Sequence, residues 1–269
     1  MLVTTEWLAH HLHDSNVVIL CIVESEQFYS SGHIPGSRIV QLTEIVTTRD
    51  GIPNELAEVS ALQRVFERAG ISNESRIILY GEHAGMLAAR AYLTLDYLGL
   101  ADRAALLDGG LEKWRAEHRV ESMSAPPVGV SHLETHSHPE ILVSLAEMTE
   151  YSRSKKKEAV LIDARPNDEY TGAKFSRDVS KAGHIPNSVG IYWQNLLLNN
   201  SIPELKSADE LRELFRASGA SAGKEVITYC RTGMQSSFSY FVAKYLGYKS
   251  RMYDGSFYEW SRSPLPVEH

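Results

Sequence analysis

Apolar residues along this chain fall into two kinds of run. VVILCIV (Val17–Val23), RIILY (Arg76–Tyr80), AALLD (Ala104–Asp108), AVLID (Ala159–Asp163) and EVITY (Glu225–Tyr229) are short and nearly continuous, as strands buried on both faces are. Between them, SALQRVFERAGI (Ser60–Ile71) and SADELRELFRASGA (Ser207–Ala220) carry apolar residues at helical spacing, the second opened by a serine cap with acids in its first turn. Strands alternating with helices predict an α/β fold in which small parallel sheets are covered on both faces.

The pattern is written twice. SSGHIPGSRIV (Ser30–Val40) recurs as KAGHIPNSVGI (Lys181–Ile191), and RIILYGEHAGMLAARAYLTLDYLGL (Arg76–Leu100) as EVITYCRTGMQSSFSYFVAKYLGY (Glu225–Tyr248). LLDGGLEKW (Leu106–Trp114) recurs as MYDGSFYEW (Met252–Trp260). Three segments in the same order at similar separation indicate tandem duplication of a domain of somewhat over about 100 residues. The polar, aperiodic stretch Ala116–Glu140, rich in Ser, Pro and His, reads as the linker, which gives domains at 1–125 and 126–269.

Composition narrows the function. A chain of 269 residues, 43% hydrophobic and 23% charged, can fill two cores. With 27 basic and 34 acidic residues and a net charge of −7, it is not expected to bind nucleic acid or an anionic membrane, and an anionic substrate needs a local cationic patch. No run is apolar enough to span a bilayer and the first residues do not look like a leader, so a cytoplasmic protein is expected. The two cysteines, Cys21 and Cys230, are expected as free thiols; Cys21, inside VVILCIV, reads as core. No Cys/His cluster has zinc-ligand spacing, so neither metal nor cofactor is expected. The Lys155–Lys157 run reads as a solvated helix end.

The chemistry concentrates at YCRTGMQSS (Tyr229–Ser237). Phe238, Phe241, Val242, Tyr245 and Leu246 predict a helix ending near Gly247, so Cys230 lies between a strand end and a helix start. Amides of the first helical turn favour an anion and a thiolate there; Arg231 adds charge, and Gly233 lets the loop curl into a nest. A tyrosine-phosphatase loop needs arginine six residues after the cysteine, where Ser236 stands, preceded by Gln235; a thioredoxin-type dithiol needs a second cysteine three residues away, and none stands there.

Through GHIPGS, GHIPNS, YCRTG, the LDGG and YDGS turns each followed by tryptophan, and the DAR triplet Asp163–Arg165, the chain resembles tandem-domain rhodaneses over nearly its whole length. The resemblance implies two α/β/α domains, each around a small parallel sheet. It implies a sulfurtransferase whose loop cysteine, Cys230, takes a sulfane sulfur from a small anionic donor and passes it to a thiophilic acceptor such as cyanide or a thiol. CRTGMQ resembles the charged loops of thiosulfate-using members; small-residue loops mark mercaptopyruvate users. Arg231, Thr232, Gly233, Met234, Gln235 and Ser236 are then donor-binding, and Arg177 matches a second donor-binding arginine. Two departures, Gln235 where related loops often have a basic residue and Glu169 where many two-domain members have arginine, keep a non-catalytic sulfur-relay or binding module open as an alternative, beside a 3-mercaptopyruvate sulfurtransferase.

The first-half copy aligns Gly81 with Cys230, followed by Glu82 and His83, and one extra residue precedes Gly85; it is expected to be catalytically silent. His33 and His184, Asp108 and Asp254, and Trp114 and Trp260 occur in both halves and read as fold determinants, and Asp163 and Arg165 as a local ion pair.

Overall fold

A computed structural model describes residues 1–129, 131–154, 158–174, 176–199 and 201–269; the lysine run at 155–157 lies outside them. The chain divides into two compact units. The first comprises Met1–Thr47, Leu56–His138 and Leu198–Leu205, and the second Thr48–Glu55, Pro139–Leu197 and Lys206–His269.

In the first unit the strands lie in the order Leu2–Val3, Ala104–Leu107, Arg76–Gly81, Val17–Val23 and Arg38–Gln41, all parallel. The second unit repeats this as Lys249–Met252, Glu225–Tyr229, Ala159–Asp163 and Ser188–Gly190, also parallel. Where the first unit has its Leu2–Val3 edge strand, the second has a single parallel bridge from Leu142 to Met252. Each continuous apolar run of the sequence is a strand buried on both faces, and the expected helices form at Val59–Arg68 and Ala208–Ala217. Both stop before the residues expected, because the chain leaves the helix towards Gly70 and Gly219. Ser207 and Glu210 form a reciprocal capping box at the second helix.

The repeated motifs do the same structural work in both units. The buried Tyr229 hydroxyl accepts from the Ile185 amide at 3.1 Å and lies 2.7 Å from Ser188 Oγ, as Tyr80 does with Ile34 and Ser37 at 3.3 and 2.8 Å. His184 donates from Nδ1 to Tyr170 O and stacks on that ring, and His33 does likewise with Tyr29. Trp114 and Trp260 are buried and donate to Val120 O and Pro266 O. These residues tie the strand ends to the GHIP loops and chain tails. That explains their presence in the half whose loop has Gly81 in place of a cysteine.

Candidate active site

In the second unit the chain winds outward in opposite directions from the Ala159–Asp163 and Glu225–Tyr229 strands. The switch point therefore lies between them, and the crevice beyond the carboxyl ends of such a strand pair is where open α/β sheets bind ligands. Tyr229 is registered with Asp163, and the Ala164 amide donates to Tyr229 O at 2.8 Å, so Cys230 and Arg165 leave the sheet side by side.

Cys230 to Gly233 form the turn from strand to the Met234–Tyr245 helix. Gly233 is the helix cap with φ 81°, a left-handed conformation that side-chain-bearing residues resist. Having no side chain, it supplies no acceptor to the first-turn amides, whereas Ser144 and Ser207 cap their helices with hydroxyls. A helix start of this kind, with its dipole, favours an anion.

Cys230 is a free thiol with 1% of its surface exposed. Ser236, fully buried, points its hydroxyl at Cys230 Sγ at 3.4 Å and lies 3.5 Å from Met252 Sδ. The Cys230 amide donates to Ser256 Oγ at 3.3 Å, and Cys230 O and Arg231 O accept from the Phe257 and Tyr258 amides. Thr232 Oγ1 accepts from Asn54 Nδ2 at 3.2 Å, Asn54 belonging to the Thr48–Glu55 segment of this unit. Met234 is buried; Gln235 is half-buried, and its Oε1 has no hydrogen-bond partner among the described residues.

Arg231 is not free. Its Nη2 donates to Glu169 Oε1 and its Nε to Glu169 Oε2 at 3.3 Å, while Nη1 faces Asp178 Oδ2 at 3.9 Å. Burial alone would lower the pKa of its guanidinium; the Glu169 hydrogen bond and charge, with Asp178 and the Cys230 sulfur behind them, raise it instead. Arg177 is exposed, and it is its neighbour Asp178 that reaches Arg231. Asp163 and Arg165 form a buried ion pair at 2.6 Å; Arg165 also donates to Gly183 O and stacks on Phe257. Burial opposes the charge on Arg165, and Asp163 more than offsets it. Arg165 braces the strand end and the GHIP loop.

The structure thus groups Cys230 to Ser236 in one turn and adds four residues that sequence reasoning did not assign to the site: Glu169 and Asp178 on Arg231, Ser256 on the Cys230 amide, and Asn54 on Thr232. Glu169 had been noted only for replacing an arginine, and one other residue had a readable signal. Ser256 adopts φ 55°, a conformation its repeat counterpart Gly110 takes at φ 56°, so YDGS against LDGG marks a strained serine beside the cysteine.

The first-half copy of the loop differs in backbone as well as side chain. Gly81 continues the strand beyond Tyr80, and a Cβ there would lie 2.3 Å from Ile22 O. His83, Ala84 and Gly85 all have positive φ, so the extra residue is absorbed by a different turn. Glu82 points a carboxylate at the Glu24 amide, and His83 Nε2 lies 3.1 Å from Glu24 Oε2.

Both halves of the chain, residues 4–117 and 147–263, match the rhodanese-like domain. The chain belongs to the rhodanese-like family of sulfurtransferases. Among its relatives, the sulfur carrier protein TtuD of Thermus thermophilus is 32% identical over 97% of this chain and 93% of its own length. A thiosulfate sulfurtransferase of Pseudomonas aeruginosa is 32% identical over 93% of this chain and 91% of its own. Among solved structures, SseA from Escherichia coli, described as a 3-mercaptopyruvate sulfotransferase, superposes with TM-score 0.83 at 24% identity, covering 95% of this chain and 98% of that one. That likeness speaks to the fold. Among the described residues no helix is long and apolar enough to cross a membrane.

Proposed function

We propose that this protein transfers a sulfane sulfur from thiosulfate to a thiophilic acceptor, cyanide or a thiol, through a persulfide on Cys230. In the first step the Cys230 thiolate attacks the outer sulfur of thiosulfate. The donor's S–S bond breaks, sulfite leaves with the bonding pair, and Cys230 carries the persulfide. In the second, the acceptor attacks the outer persulfide sulfur and Cys230 leaves as thiolate. The Ser236 hydroxyl donates to the anionic sulfur, and the first-turn amides of the Met234–Tyr245 helix face the charge that develops on it. Thr232, Gly233, Met234 and Gln235 form the remaining wall for the donor, and Arg177 is the exposed cation on its approach.

The observation that carries this reading is the placement of a free thiol at the switch point, against Ser236, in the one repeat whose backbone has room for it. The name of the Pseudomonas aeruginosa relative supports thiosulfate as donor. The test is thiocyanate formation from cyanide with thiosulfate or mercaptopyruvate as donor. Thiosulfate is expected to be the better donor by kcat/KM, and Cys230→Ser to be inactive with both; faster turnover with mercaptopyruvate would reassign the donor.

A second reading has its own support. With Arg231 engaged by two carboxylates and Cys230 buried, the module would act as a sulfur relay with little small-molecule turnover, as the name of the Thermus thermophilus relative suggests. Thiocyanate formation from neither donor, with sulfur still loaded on Cys230, is the outcome that favours it.

A further inference from the structure

The cation beside the nucleophile is the only charged member of the CRTGMQ turn, and all three of its nitrogens face carboxylates. Glu169 takes the Nε–Nη2 edge, the same edge on which a sulfonate would lie as a two-point acceptor. Asp178 stands off Nη1, so the trio carries one negative charge in excess. Glu169 is 5% exposed and sits on the short Asn167–Tyr170 helix, whereas the Arg231 side chain is 33% exposed and reachable from solvent. A dianion arriving at Cys230 therefore meets an arginine whose charge is already answered from the protein side.

We propose that Glu169 is the residue that sets donor selectivity: its carboxylate competes with the anionic end of the donor for Arg231 and lowers the affinity for dianionic donors relative to less charged ones. This rests on the reading of Cys230 as the sulfur-bearing nucleophile and assigns a positioning role acting through Arg231. Only the fraction of molecules with Arg231 released binds a sulfonate at full strength, so the apparent dissociation constant is raised by the inverse of that fraction. Glu169→Gln keeps the volume and a hydrogen bond while removing the competing charge.

Two readouts test it. The first is the rate of alkylation of Cys230 by anionic iodoacetate relative to neutral iodoacetamide, read on the peptide carrying Cys230 by mass spectrometry. The second is the thiosulfate concentration that half-saturates sulfur loading of Cys230 in a single turnover. Glu169→Gln is expected to raise the iodoacetate preference roughly tenfold and to lower the half-saturating thiosulfate by a similar factor, with the maximal loading rate changing less than about threefold. A purely structural role for Glu169 would slow both alkylating agents alike and lower the maximal rate. An unchanged ratio and half-saturation in a folded variant overturn the proposal. A raised ratio with no sulfur loaded on either protein supports the role of Glu169 while contradicting thiosulfate as donor. Should Glu169→Gln fail to fold, Asp178→Asn, whose side chain is 44% exposed, is expected to raise the same ratio to a smaller extent, and no rise there overturns the proposal as well.

Discussion

The Cys230 sulfur is faced by dipoles more than by free charge. The Ser236 hydroxyl lies 3.4 Å from Sγ and is fully buried, so Ser236→Ala removes a donor that water cannot replace there. The variant is expected to load sulfur from thiosulfate about tenfold more slowly, a loss of about 1.4 kcal/mol of stabilisation, with the half-saturating concentration little changed. Stopped-flow single-turnover kinetics checks this; an unaltered rate would remove Ser236 from the chemistry. Cys230 and the turn around it were legible in the sequence because the thiol, the glycine and the helix start are neighbours in the chain. The pairing of Glu169 and Asp178 with Arg231 was not, since it joins residues 62 and 53 positions away, and nothing in DEYTG or SRD says which cation they will face.

The strands and helices were the most legible part, because burial on both faces writes itself as unbroken apolar runs. What the pattern could not show is that two elements aligned residue for residue end differently. The first-half strand runs through Gly81, packed so closely on Ile22 O that a Cβ would come to 2.3 Å. Gly81→Ala is therefore expected to destabilise the first unit by about 1–3 kcal/mol, seen as a lower first thermal transition. Gly81→Cys is likewise expected not to yield a second sulfur-loaded site; a second loaded cysteine would contradict this account of the silent copy. A capping device in the second unit gives a pH signature. For Glu147, burial favours the protonated form, but the Ser144 amide and hydroxyl and Arg251 outweigh it and hold the carboxyl down at about 2. A depressed folded-state pKa contributes stability that is complete above the unfolded value near 4.3 and disappears as pH falls through 2. Glu147→Gln is thus expected to lower Tm by about 2–4 °C at pH 7, with the difference shrinking between pH 4 and pH 2. A pH-independent difference would mean that the side chain acts by packing alone.

Across the whole molecule, duplication has kept the fold devices in both halves and the loop cysteine in one. Tyr80 and Tyr229, His33 and His184, and Trp114 and Trp260 hold equivalent places, whereas only the second unit combines a thiol with Ser236 and Ser256. The other cysteine is held as the unreactive thiol: Cys21 is enclosed in the first core, and desolvation pushes its thiol up to about 12, the Tyr80 hydrogen bond notwithstanding. A thiol-reactive disulfide is therefore expected to titrate Cys230 alone in the native protein and both cysteines in guanidinium; two fast thiols in the native state would contradict the packing. The repeat made the tandem architecture readable from sequence. The exchange of Thr48–Glu55 into the second unit and Leu198–Leu205 into the first was not, since it depends on long-range packing rather than local pattern. The central claim, that Cys230 carries transferable sulfur, is tested most directly by the intact mass of the protein after incubation with thiosulfate. The account predicts an added mass of about 32 Da, one sulfur atom, lost on treatment with a thiol or cyanide and absent from Cys230→Ser. An unchanged mass, or the same adduct on the Cys230→Ser protein, would contradict it.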